Sequence, residues 1–251
     1  MITVKLKGRL GNHLFQYTIC RIIAEKNGYE YSIPRKWLGQ TLFDCPLGSN
    51  NIQKDNLKIY KEPDLQPLNL DILKISDNTI LDGYWQSDLY YNGYEEQIKE
   101  WFRPNYPSKI IVPEDTCIIH LRMRDYYEKH KIPKQYFDKA KKIIKDKIDN
   151  QIKFWIVTDN IPVAKEYFPE DKIISKETTS MQQDFMLIYS AKYRIISPST
   201  FAWWASWLNT SNETITIAPI KWMNYIKNKI NREIPWRPNQ YIQTKRFTFI
   251  N

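Results

Sequence analysis

Short apolar runs that stop abruptly at polar residues, with helical patterns between them, constrain this chain more than any other feature. The runs cover 116–120, 152–157 and 193–196, each the length of one strand. Just beyond them stand His120 and Arg122, then Thr158 and Asp159, then Ser197, Ser199 and Thr200. Between the runs, Tyr136, Phe137, Ala140, Ile143, Ile144 and Ile148 recur at helical spacing. Ser180 with Gln183 has the form of a capping box that opens a further helix through Tyr189. Alternating strands and helices call for a parallel sheet with helices on both faces. The strand ends of such a sheet share one edge, and ligands bind just beyond it. Residues from His120 to Thr200 would then line one crevice.

The first hundred residues carry a second βα signal. Ile2, Val4 and Leu6 alternate with Thr3, Lys5 and Lys7, which is strand periodicity. Gly8-Arg-Leu-Gly11-Asn12-His13 follows, then a helical stretch with Gly28 as its C-cap and a strand over 29–33. Residues 37–80 are irregular, with Pro46, Pro63 and Pro67; 80–85 reads as a strand leaving the core and 95–102 as a helix. Pro104, Pro107 and Pro113 mark a boundary. The expectation is one domain over 1–105 and another over 106–251, with the last segment returning to the first.

The net charge is +9, which favours anionic partners. Lys139, Lys141, Lys142, Lys145 and Lys147 account for much of it and read as a solvated helix face. Cys20, Cys45 and Cys117 are far apart, with no C-x-x-C pair, so free thiols in a reducing compartment are expected and a zinc site is not. A strand opens the chain where a signal peptide would stand, and no apolar run approaches the roughly 18–20 residues needed to span a bilayer. A cytoplasmic protein, soluble or peripheral to a membrane, is expected.

Arg122 is the leading functional residue: a guanidinium at a strand end either holds an oxyanion, whose geometry it matches, or is an ordinary charge on a solvated strand end. Gly8-x-x-Gly11-Asn12 either lets a ligand approach the backbone closely or is a tight turn with Asn12 as N-cap. Ser199-Thr200 either cradles a phosphate at a helix start or caps that helix. Asp184 and Asp159 either complement helix dipoles or accept hydrogen bonds, Asp184 from a guanine edge. Trp203, Trp204 and Trp207 read mainly as core, with a stacking box as the minor reading. There is no H-E-x-x-H, G-x-S-x-G, P-loop or D-x-D motif, which points to protein cations as the neutralising charge on a diphosphate.

Taken together, the segments are more specific than any one alone. Gly8-Arg-Leu-Gly-Asn-His-Leu-Phe-Gln-Tyr17, Asp82-Gly-Tyr-Trp-Gln-Ser87, His120-Leu-Arg-Met-Arg-Asp-Tyr126, Asp184-Phe-Met-Leu-Ile-Tyr-Ser190 and Ile195-Ile-Ser-Pro-Ser-Thr-Phe-Ala-Trp-Trp-Ala-Ser-Trp-Leu208 resemble, in order and spacing, the motifs of bacterial-type α-1,2-fucosyltransferases of glycosyltransferase family 11. The resemblance implies an α/β fold of GT-B type, with two Rossmann-like domains facing across a cleft. The nucleotide sugar would bind the C-terminal domain and the acceptor the N-terminal one. It implies inverting transfer of fucose from GDP-fucose to a glycan hydroxyl, the galactose 2-OH, with no cofactor and no divalent metal. Arg122 would hold the β-phosphate beside His120, Asp184 would read guanine, Ser199 and Thr200 would hold the diphosphate, and Gly11 and Asn12 would lie near the fucose. Asp159 joins the donor-binding set, and Asp125 and His13 are the candidate bases. Where the family has a second Arg, a Gly and a Gln, this chain has Met123, Arg124 and His13. The alternatives are another nucleotide sugar on the same fold, or a noncatalytic protein that binds glycans or polyanions. Nucleic acid is not an expected partner, and a peripheral membrane contact is compatible with the charge.

Overall fold

The computed structural model describes residues 1–49, 57–63, 68–107, 110–123, 132–178, 180–222, 226–227, 233–234 and 242–251. The chain divides into two compact units, one of residues 1–105 with 225–244 and one of residues 106–224 with 245–251. Each contains a parallel sheet flanked by helices, the mixed α/β make-up expected of each half of a GT-B-type chain.

The first unit opens with β1 (Ile2–Val4), α1 (Leu10–Asn27) and β2 (Tyr31–Ser32). It continues through β3 (Lys58–Lys61), β4 (Thr79–Asp82) and α2 (Glu95–Trp101). The sheet order is β2-β1-β4-β3, with every pairing parallel. α1 is buried on almost every face, so it is a core helix with no broad solvated side. An aromatic cluster packs on it: Tyr17 lies 4.8 Å from Trp37 and 5.2 Å from Phe102, ring centre to ring centre. Gly28 ends the helix in the left-handed region, at φ 69°, and its N–H meets the last carbonyls at Ala24 and Glu25.

The second unit runs β5 (Thr116–Leu121), α3 (Lys134–Lys147), β6 (Lys153–Thr158), α4 (Ile161–Tyr167), β7 (Lys172–Ile173), α5 (Met181–Ser190), β8 (Tyr193–Ile196), α6 (Thr200–Leu208) and β9 (Ile215–Pro219). The two-residue hairpin strands β10 (Ile226–Lys227) and β11 (Glu233–Ile234) belong to the first unit, and β12 (Thr248–Ile250) returns to the second. The large sheet is parallel throughout, in the order β12-β9-β8-β5-β6-β7. Counted from β5, that is the 3-2-1-4-5-6 order of a dinucleotide-binding sheet, and its direction of winding reverses between β5 and β8. Every residue of β5 and β8 is buried, as a sheet covered on both faces requires.

Two expectations change, at α3 and at Asn12, and one is sharpened, at the tryptophans. The α3 face is not simply solvated: Lys141 pairs with Asp171 at 2.5 Å and its ammonium lies 4.5 Å from the Phe154 ring centre. α1 starts at Leu10 with Arg9 at its N-cap, so Asn12 sits inside the first turn and is not the cap. Trp203, Trp204 and Trp207 are wholly buried, Trp203 stacking on Trp207 at 5.9 Å, which removes the stacking-box reading. The three cysteines are buried free thiols. Among the described residues no helix is long and apolar enough to cross a membrane.

Arg194, in β8, is a buried cation held by three backbone carbonyls and a hydroxyl. It donates to the carbonyls of Ile188 (2.7 Å), Tyr189 (2.9 Å) and Asn209 (3.3 Å), and to Thr216 Oγ1 at 3.4 Å. It thus satisfies orphan carbonyls where α5 and α6 end. Burial pulls its pKa down to about 10, which leaves it charged at neutral pH. Arg194→Met keeps the apolar stem but strips donors from those carbonyls. It should lower the unfolding free energy by about 3 kcal/mol, read from urea denaturation at unchanged m. A loss below about 1 kcal/mol would show that the carbonyls find other donors.

Candidate active site

Parallel pairing sets the geometry at the carboxyl edge of the second unit. β5 pairs with β6 in a register that puts Leu121 opposite Thr158, and with β8 in one that puts His120 opposite Ile196. The next residues of the three strands therefore emerge at one level. Ser197, wholly buried, has its Oγ 3.1 Å from His120 Nδ1 and accepts the Arg122 backbone N–H at 2.9 Å. From the other side Asp159 accepts the Met123 N–H on Oδ1 at 2.8 Å and pairs through Oδ2 with Arg122 Nη1 at 2.8 Å. The Arg122 side chain keeps 22% of its exposure, so the guanidinium is ordered and still reachable from solvent. Met123 is buried in the core, so no side chain is presented to a ligand at this position.

His120 is 6% exposed, and burial holds its pKa down at about 4, Asp159 opposing and Arg122 reinforcing the effect. The ring is neutral near pH 7. Where the Ser197 hydroxyl donates to Nδ1, the ring proton lies on Nε2. Asp184, in the first turn of α5, takes the Thr178 hydroxyl on Oδ1 at 2.8 Å. Burial raises its pKa to about 6, Thr178 opposing and Asp159 adding to the rise. Ser180 caps the same helix, accepting the Gln183 N–H at 3.3 Å.

Ser199 is the N-cap residue of α6, yet its side chain makes no capping bond. Simple side-chain capping is therefore not its role. The N-terminal amides of α6 follow Ser199 and Thr200 directly, and amides at a helix start favour an anion.

In the first unit the turn after β1 meets the turn after β4. Gly8 holds φ 78°, and a Cβ there would run into the Asn12 side chain. Gln86 donates to Asn12 Oδ1 at 2.7 Å. Buried Gln16 accepts the Lys7 N–H at 3.1 Å and donates to the Gly83 carbonyl at 2.9 Å. Trp85 adopts φ 56°, a left-handed backbone that costs a bulky residue about 1–3 kcal/mol. The Glu62 carboxylate stabilises it by accepting the N–H groups of Tyr84 (2.5 Å) and Trp85 (3.0 Å). Strain held this firmly is a mark of functional turns. Gly11 and Asn12 lie in the first turn of α1.

His13 is buried and accepts the Leu38 N–H on Nδ1 at 3.3 Å. Burial, with Lys36, lowers its pKa. A proton on Nδ1 would break that bond, which weighs against His13 as the base. Asp125 and Arg124 lie outside the described residues.

In the sequence Ser197 stands at the edge with no role of its own, and Gln16, Gln86 and Glu62 do not stand out. Gln16 and Gln86 stand inside the quoted motifs. Glu62 lies in the irregular stretch and carries no local signal.

The family model described as glycosyl transferase family 11 matches residues 1–240. An alpha-1,2-colitosyltransferase of Escherichia coli is 29% identical over 159 residues, 56% of this chain and 54% of that protein. The chain thus matches about half the length of that relative. The O-antigen biosynthesis glycosyltransferase WbnK of Escherichia coli is 24% identical over 83% of this chain and 78% of its own length. A solved structure of a mutant of Arabidopsis thaliana FUT1 in complex with GDP aligns with TM-score 0.49 at 10% identity, over 94% of this chain and 74% of that one.

Neutral His120 has a direct signature. Its ring signals in NMR should stay those of a neutral imidazole from pH 8 to 5 and move only near pH 4. Because the folded pKa lies below the ordinary 6.5, the stability from burying the neutral ring is complete above about 6.5 and is lost as pH falls through about 4. A midpoint near 6.5 would place the ring in water.

Proposed function

The chain belongs to glycosyl transferase family 11, and from that premise we propose that it transfers fucose from GDP-fucose to a glycan hydroxyl, the galactose 2-OH, with inversion and without a metal ion. One observation carries the reading: Arg122, His120, Ser197 and Asp159 gather where the 3-2-1-4-5-6 sheet changes direction. Nucleotides bind such sheets at that place.

In this reading the acceptor oxygen attacks the anomeric carbon from the face opposite GDP. The carbon–oxygen bond to the β-phosphate breaks, and negative charge builds on the departing diphosphate. The Arg122 guanidinium and the α6 amides after Ser199 and Thr200 meet that charge, while Asp184 accepts the guanine N–H groups. Asp159 serves the donor through Arg122, and the neutral His120 donates from Nε2. The first unit takes the acceptor at the turns holding Gly11, Asn12 and Gln86. With His13 Nδ1 already engaged, Asp125 is the base the sequence offers. An oxocarbenium-like transition state needs only weak proton removal early in the reaction.

The relative named for colitose transfer favours a second reading, in which another deoxysugar occupies the same donor site. Assaying GDP release from a panel of GDP-sugars with galactose-ending acceptors separates the two.

Arg122→Ala should cut turnover by about 10²–10³-fold with unchanged far-UV circular dichroism. Wild-type turnover in that variant would contradict the role. Reading guanine needs the ionised Asp184, whose pKa is about 6. GDP affinity by calorimetry should therefore fall by about tenfold per pH unit below that point, and Asp184→Asn should abolish the dependence. Equal affinity for GDP and UDP would remove the guanine assignment.

A further inference from the structure

Arg122 leaves the middle strand of three, and each neighbouring strand contributes one side chain that touches it. Ser197, after β8, holds its backbone N–H at 2.9 Å; Asp159, after β6, holds its guanidinium at 2.8 Å. The same two side chains fix the residues on either side, Ser197 reaching His120 Nδ1 at 3.1 Å and Asp159 the Met123 N–H at 2.8 Å. Both oxygens of Asp159 are thus used on one turn of chain. A carboxylate beside a diphosphate site opposes an anionic ligand by simple Coulomb repulsion. Its place there needs a different reason, and geometry supplies one.

We propose that Asp159 and Ser197 are positioning residues that hold Arg122 from both sides, presenting the guanidinium to the leaving group in one orientation; this rests on the reading that Arg122 meets the diphosphate. Donors fixed in advance stabilise developing charge without reorganising as it forms. Small losses of orientation are costly to rate and much less costly to binding. Asp159 and Ser197 therefore act on the reaction through Arg122 and not by touching the sugar nucleotide's reacting atoms.

Asp159→Asn is the informative variant, because it keeps the shape and the acceptor for the Met123 N–H while removing the charge. It should lower kcat by about tenfold or more. GDP affinity should change by less than about threefold, since the loss of a grip is offset by the loss of a repulsion. Ser197→Ala should also lower kcat. In an Arg122→Lys background Asp159→Asn should cost less than about twofold, because residues acting as a unit are non-additive. If the two effects multiply, Asp159 does not work through Arg122 and the proposal fails.

A second readout needs no substrate. The Arg122 Nε–Hε signal, identified by its loss in Arg122→Lys, should show a rigid side chain by NMR relaxation. It should become mobile in Asp159→Asn. An equally rigid signal in that variant overturns the proposal even where turnover falls. If the wild type turns over no GDP-sugar while the signal loosens as described, the functional reading fails and the positioning stands.

Discussion

Everything at the candidate site depends on the parallel register of β8, β5 and β6. That register brings Ser197 and Asp159 level with Arg122, although they lie 75 and 37 positions further along the chain by residue number. No local interaction could bring these side chains together. The cost of closing such long loops is met by the fully buried central strands, whose apolar side chains are covered by helices on both faces. Once the strands are paired, the ion pair, the serine bridge and the start of α6 follow at one edge.

The first unit repeats the device on a smaller sheet. β1 and β4 are neighbours, so the turns that follow them meet, and Gln86 reaches Asn12 across 74 positions. Here Gln86 meets Asn12 amide to amide, and the Glu62 carboxylate holds a strained Trp85 in place. Fixed charge gathers in the second unit, where an anionic leaving group would depart. In the first, side-chain amides of Asn12, Gln16 and Gln86 stand beside the paired charges of Lys5, Lys7 and Asp82, where sugar hydroxyls would be read.

Much of this was legible because it is local. The strand over 193–196, the Gly28 cap and the Ser180 cap stand where the sequence puts them. Strand periodicity and capping chemistry act over a few residues, so a few residues reveal them. What escaped depends on partners remote in sequence. Asn12 was one candidate for the cap after a tight turn, but Gly8 makes the turn and the helix has already begun. Lys141 looked solvated because its own helix does not show Asp171 or Phe154. Arg194 had no signal at all, since the carbonyls that bind it come from the ends of two helices. The pairing of Arg122 with Asp159 could be guessed as proximity along an edge, but not as an ion pair.

The central claim is that the guanidinium of Arg122 receives the diphosphate of a guanine nucleotide sugar. A crystal structure with GDP bound tests it most directly. The account requires the β-phosphate within hydrogen-bonding distance of Arg122 at the ends of β5 and β8, with the guanine edge on Asp184. GDP bound elsewhere, or bound there with the guanidinium turned away from the phosphates, would contradict it.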